Sequence, residues 1–132
     1  MEDRVLHRGL SYEVVGCFYE VYNELGPGHK EKIYHEALKL LFVEKQIMFD
    51  DNKRLKIMFK GKPIGVYQPD FIVDDKIIVE LKAVPKMLKI FERQLYYYLK
   101  GTPYTVGYLV NFGIDKIDIR RRVYDSARKH SG

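Results

Sequence analysis

Residues 68–82 read Gln-Pro-Asp-Phe-Ile-Val-Asp-Asp-Lys-Ile-Ile-Val-Glu-Leu-Lys, and no other stretch of the chain leaves the fold fewer options. Two apolar runs, each too short for a helix, flank an Asp-Asp-Lys turn, which predicts two short strands. Successive side chains of a strand point to opposite faces, so Ile77, Val79 and Leu81 share one face while Ile78, Glu80 and Lys82 share the other. If the two segments pair, Asp70 lies beside Glu80. Two carboxylates and an ammonium then converge where apolar groups would pack better. Glu-x-Lys on a solvated strand face and an ordinary Pro-Asp turn explain that pattern; so does a site for a hard divalent cation.

The segments on either side supply helices and more strands. Ser11 is placed to cap a first helix after a loose lead-in of ten residues, with Val14, Phe18, Val21 and Leu25 on its apolar face. Gly26-Pro27-Gly28 stops it. A second helix is predicted over residues 30–45, with Tyr34, Ala37, Leu38, Leu41 and Phe42 facing inward and Glu31 in the first turn, where the helix dipole favours a carboxylate. From Ile47 the period drops to two, and Leu55, Ile57 and Phe59 alternate with polar neighbours up to a turn at Gly61 and Pro63. Pro85 opens a third helix running to about Lys100, with Leu88, Phe91, Leu95, Tyr98 and Leu99 inward. An interior strand over 104–112 and a last one over 117–122 follow, and the tail from Ala127 is expected to fray. Helix, helix, three strands, helix, strand, strand describes an α/β fold, one mixed sheet flanked by helices.

A chain of 132 residues with 46% hydrophobic residues is long enough to bury a core as one domain, 1–132. The lone cysteine, Cys17, lies among helix-spaced apolar residues; it offers no disulfide framework and fits a reducing cytoplasm. No apolar run is long enough to span a bilayer and the first residues hold no secretory h-region, so no membrane partner is expected. The formal net charge of +5 turns attention to anionic partners, nucleic acid first.

Several chemistries are excluded by pattern. There is no Gly-x-Ser-x-Gly elbow, no phosphate loop, no Gly-x-Gly-x-x-Gly after a strand and no Cys/His spacing for zinc; His7, His29, His35 and His130 form no recognisable ligand set. The carboxylates remain. If Glu31 meets Asp70 and Glu80, the set suits magnesium, which takes hard oxygen donors, and Lys82 is placed to orient a water or to stabilise charge on a phosphoryl group.

Gly28-x-x-Glu31-x-x-Tyr34, Pro69-Asp70, Glu80-Leu81-Lys82-Ala83 and Gln94-x-x-x-Tyr98, in this order and followed by Gly107-x-x-x-Asn111-Phe112-Gly113, resemble the GxxExxY protein family, a branch of the PD-(D/E)XK nuclease superfamily with RecB-like relatives. Each motif is weak alone; the ordered set spans residues 12–124. The resemblance implies a restriction-endonuclease-like core, a mixed β-sheet with α-helices on both faces. It implies Mg2+, or Mn2+, held by Asp70, Glu80 and Glu31 with the Leu81 carbonyl as a further ligand. Lys82 takes the catalytic lysine position, and Gln94 that of a supporting glutamine. Tyr34 and Tyr98 are expected to pack rather than react. The implied activity is hydrolysis of phosphodiester bonds in nucleic acid, DNA before RNA.

Two other functions fit the same residues. A catalytically inactive nucleic-acid-binding module would use the basic stripe Lys86, Lys89 and Arg93 with Arg120, Arg121 and Arg122 on phosphates, although a solvated helix face and a charge-protected edge strand explain those residues equally. An assembly module would use Tyr96 or Tyr97, since three successive tyrosines cannot all face one core, and a homodimer is the partner such a surface suggests.

Overall fold

The computed structural model describes residues 6–124. Helix α1 (Arg8–Leu25) packs beside α2 (Glu31–Glu44). The strands are β1 (Phe49–Asp50), β2 (Leu55–Phe59), β3 (Lys62–Tyr67), β4 (Phe71–Val73) and β5 (Ile77–Lys82). Helix α3 (Lys89–Lys100) then crosses to β6 (Val106–Asn111), and β7 (Asp118–Val123) closes the order. Five strands form one sheet in the order β1-β4-β5-β6-β7, with β5 and β6 parallel and every other neighbour antiparallel. β2 and β3 form a separate hairpin.

The alternation of β5 sorts the chain into layers. Ile77, Val79 and Leu81 bury against Val14, Phe18, Tyr34 and Leu38 of α1 and α2. Ile78 turns the other way, into a second cluster with Leu95 and Leu99 of α3 and with Leu55 and Tyr67 at the base of the hairpin. The fold is thus a mixed α/β sheet with helices on both faces, and Glu80 and Lys82 belong to the α3 side. β6 is buried along its whole length, as its apolar run predicts. α3 sits so close to it that a Cβ on Gly107 would come within 2.9 Å of Leu95 Cδ1.

Five strands, not three, stand between α2 and α3, and four further details differ from the sequence reading. α1 begins at Arg8, not Ser11; the Ser11 amide donates to the His7 carbonyl at 2.8 Å, and its buried hydroxyl finds no hydrogen-bond partner among the described residues. α3 begins at Lys89, so Lys86 lies before the helix, and Met87 rather than Leu88 is buried there. The hairpin does not join the main sheet, and its edge position goes to two-residue β1. β3 is exposed except for Tyr67, because only the hairpin's base reaches the core. The tail from Ala127 lies outside the described residues.

Cys17 is fully buried in α1, and burial pushes its thiol up, which keeps it protonated and inert. Among the described residues no helix is long and apolar enough to cross a membrane. Tyr97 is exposed while Tyr96 and Tyr98 are half-buried.

Candidate active site

β4 begins at Phe71 opposite Val79, and one further step of that register sets Asp70 opposite Glu80. Because the β4 ladder does not extend that far, the Leu81 N–H is left for the Asp70 side chain and donates to Oδ2 at 2.8 Å. The Asp70 N–H donates in turn to Glu80 Oε1 at 3.2 Å, and the Tyr67 hydroxyl donates to the same oxygen at 2.8 Å. Each carboxylate is therefore fixed through one oxygen. Asp70 Oδ1 and Glu80 Oε2 accept no hydrogen bond among the described residues and are not sealed from solvent. The N–H and C=O of one strand residue point to the same side, so the Leu81 carbonyl faces the Asp70 side as well.

Burial and mutual repulsion make this pair electrostatically costly. Burial first, and the Asp70 charge second, push the Glu80 carboxyl up to about 7, against the hydrogen bonds from Tyr67 and the Asp70 amide and the attraction of Lys82. Burial also raises Asp70, opposed by the Leu81 amide, His35 and Lys82. Tyr67 is held far above its ordinary value by burial and by Glu80, so it remains a neutral donor. Its ring stacks on Tyr98 at 3.6 Å between centroids, which is the packing role expected of Tyr98.

Lys82 does not pair with these acids directly. Its Nζ lies 4.5 Å over the Phe91 ring of α3, near enough to the site for its charge to bear on Asp70, Glu80 and Glu31. Glu31, at the first turn of α2, has an exposed side chain, and partial desolvation and then Asp70 raise it. The structure thus brings Glu31, Asp70, Glu80 and Lys82 to one neighbourhood. Among the described residues, however, no three His, Cys, Asp or Glu side chains come together closely enough to hold a metal ion by themselves. Glu31 stands at the rim, not in a closed three-carboxylate cluster.

Tyr34 explains why Glu31 is there. Its buried ring stacks on Phe112 at 4.4 Å and its hydroxyl donates to the Gly26 carbonyl at 2.6 Å, fixing the start of α2 against the Gly26-Pro27-Gly28 turn. Gly26 and Gly28 adopt φ of 69° and 99°, values that side chains resist. The segment after β5 is held by Asn111, fully buried, whose Oδ1 accepts the amides of Val84 and Gly113 and whose Nδ2 donates to the Val84 carbonyl. Gly113 permits this approach, since a Cβ there would fall 2.5 Å from the Val84 nitrogen.

Gln94 is exposed and lines a shallow pocket of about 440 Å³ with Arg93, Tyr97 and Arg122; among the described residues no hydrogen bond joins it to the carboxylates. Lys86, Lys89 and Arg93 are exposed. The three arginines of β7 do not form one patch. Arg121 faces Tyr108 and donates to its hydroxyl at 3.2 Å, whereas Arg120 and Arg122 turn to α3 and pair with Glu92. Strand alternation divides them.

Two neighbours of the site were not singled out from the sequence. Tyr67 is one; its only sequence signal is that it precedes Gln68-Pro69-Asp70. The other is His35, one turn after Glu31, whose ring stacks on Phe71 at 4.4 Å and whose Nε2 contacts the Asp70 carbonyl at 3.3 Å. A carbonyl only accepts, so that contact places the proton on Nε2.

Fold and site together define a mixed α/β core in which Asp70, just before β4, lies opposite Glu80 on the central strand β5, with a lysine two residues after Glu80. A family model for the PD-(D/E)XK nuclease superfamily matches residues 8–123, and the chain belongs to that superfamily. Comparison with curated proteins and with solved structures gives no significant match. Nucleases of this superfamily generally use divalent metals. The residues here fit such an ion: two desolvated carboxylates that repel each other each keep a free hard oxygen, and magnesium is commonly held by one or two protein carboxylates.

Proposed function

We propose that the chain is a metal-dependent nuclease of the GxxExxY branch, hydrolysing phosphodiester bonds of nucleic acid, DNA before RNA. The observation that carries this is the Asp70–Glu80 pair, held through one oxygen each by neutral donors, with Lys82 on the same strand face. Asp70 and Glu80 would hold Mg2+ or Mn2+ with the Leu81 carbonyl, and Glu31 would contribute from the rim. When bound, the ion supplies Lewis-acid polarisation of the phosphoryl oxygen and neutralises charge on the leaving oxygen.

The chain's own groups do the rest. Tyr67 and the Asp70 amide orient Glu80, and the Leu81 amide orients Asp70, so neither carboxylate must reorganise when a phosphate arrives. Lys82 has its stem fixed in β5 and its ammonium over Phe91, and among the described residues it pairs with no carboxylate that would neutralise it. From there it hydrogen-bonds the attacking water and stabilises the charge that grows on the phosphoryl oxygens. Gln94, on the outer part of α3, would meet substrate rather than the ion. Lys86, Lys89 and Arg93 would take flanking phosphates.

Incubating the protein with single-stranded, duplex and branched DNA and with RNA, in magnesium or manganese, tests this reading. Cleavage by the wild type that is lost in Asp70→Ala and in Lys82→Ala supports it. Cleavage that survives both substitutions, or a wild type that cuts none of these, overturns it.

A further inference from the structure

The β2–β3 hairpin stands apart from the five-stranded sheet, and beyond Leu55 and Tyr67 at its base its residues have no role assigned so far. Residues 52–69, which contain it, carry the cations Lys53, Arg54, Lys56, Lys60 and Lys62 and no Asp or Glu, an excess equal to the whole formal net charge of +5. The rest of the chain is balanced. Lys53 is matched by Asp75 at 3.5 Å, while among the described residues the other four cations make no ion pair.

The same hairpin displays apolar side chains. Met58, Phe59, Ile64 and Val66 are exposed, from 49% at Met58 to 66% at Ile64, and Lys60 Nζ lies 5.5 Å over the Phe59 ring at the tip. Apolar surface set between unpaired cations calls for a partner that is anionic and also offers flat apolar faces. A second copy of this chain would bring cations against cations. A nucleic-acid duplex supplies phosphates but keeps its base faces stacked inside. A single strand supplies both, with phosphates for the lysines and unstacked bases for the apolar side chains.

The stem shows where such a strand would lead. Leu55 and Tyr67 pair at the hairpin's base, and the Tyr67 hydroxyl is the group that donates to Glu80. We infer that the β2–β3 hairpin is an arm that holds single-stranded nucleic acid: Arg54, Lys56, Lys60 and Lys62 contact phosphates, Phe59 and Met58 pack against bases, and the stem leads the strand toward Asp70 and Glu80. The arm rests on the nuclease reading only for what lies at its end, because holding the strand requires no metal.

The test is fluorescence anisotropy with labelled unstructured single-stranded DNA and RNA and a matching duplex, in EDTA so that nothing is cut, across a salt series. The wild type is expected to prefer the single strand. Replacing Lys56, Lys60 and Lys62 together by Gln should reduce the log-log salt slope by about 2, at roughly 0.7 per single-strand phosphate. Phe59→Ala should weaken single-strand binding by about tenfold and leave duplex binding alone. These residues are exposed, so thermal melting should not move; Lys56→Glu serves as a single-site check on the same prediction. Unchanged single-strand affinity in these variants, or a wild type that prefers duplex, overturns the arm. So does binding to phosphatidylserine vesicles that is lost in the lysine variant while nucleic-acid binding is kept. The two readings fail independently: the arm is judged by the anisotropy of the lysine and Phe59 variants in EDTA, where nothing is cut, and the nuclease reading by cleavage with added metal.

Discussion

Two clusters of charge lie on the α3 side of the sheet, and they are built in opposite ways. At β7, Arg120 donates to both oxygens of Asp118 at 2.9 and 2.8 Å and to Glu92 at 2.7 Å, and Arg122 pairs with Glu92 as well. Every acid there faces a cation. Between the start of β4 and β5, Asp70 and Glu80 lie opposite each other, their hydrogen bonds come from a phenol and backbone amides, and the nearby lysine rests on an aromatic ring. The first cluster is closed and ties α3 to β7. The second is left short of positive charge, with one oxygen of each acid accepting no hydrogen bond among the described residues, which is the observation behind the proposed metal site.

The largest effect that separates them is on cleavage. Asp70→Ala or Lys82→Ala should lower divalent-dependent turnover by at least about 10²–10³-fold, the scale of removing one preorganised charge or donor. Glu92→Gln should stay within about twofold of wild type in the same assay. Equal losses in both clusters would erase the distinction.

Stability should move in opposite directions. Glu80 ionises near 7 in the folded chain against an ordinary 4.5, so the fold holds that proton more tightly than the unfolded chain does. Its contribution is complete below pH 4.5 and is lost as pH rises through 7, on the order of 3 kcal/mol in all. Glu80→Gln should therefore stabilise the metal-free protein by about 2–3 kcal/mol at pH 8 and by little at pH 5, in denaturant melts. Added magnesium or manganese should raise the Tm of the wild type, and Glu80→Gln should remove that rise.

Glu92→Gln should cost about 1–2 kcal/mol near pH 7, because it leaves two arginines short of their acid; their partial exposure keeps the loss below that of a fully buried pair. The smallest effect is expected of Tyr67→Phe. The ring can still stack on Tyr98, but Glu80 loses a donor that favours its ionised form, so the acidic limb of the cleavage profile should shift upward by about half a pH unit to one unit. A shift downward would show that Tyr67 does not serve Glu80 in this way.

Much of this was legible in the residues. Alternation in β5 placed Glu80 and Lys82 on one face, and the short Asp-Asp-Lys turn placed Asp70 beside Glu80, because both follow from local geometry that few packings override. The start of α1 was not, because Ser11 is a good cap only if its side chain meets the helix amides, and here its amide is already bonded within the helix to the His7 carbonyl. Nor was the separation of the β2–β3 hairpin, since alternation marks a strand without naming its neighbours. The basic triplet looked like one patch because a string of letters hides the partners; Glu92 lies 28 residues from Arg120. For the same reason nothing in the sequence marks His35 or Tyr67 as a neighbour of the carboxylates, since each touches the site through contacts with distant segments.

The parallel pairing of β5 with β6 has a consequence for how the site comes into being. Ile77 pairs with Val106, the widest separation along the chain of any strand pairing in the main sheet, and the Asn111 amide side chain can hold Val84 only after that loop has closed. A nascent chain that has reached α3 already contains Glu31, Asp70, Glu80 and Lys82. It has no support on the far side of β5, and Tyr34 still lacks Phe112 to stack upon. The acids are thus made early and armed late, and a polypeptide cut short before β6 would carry every acidic group of the site without the site.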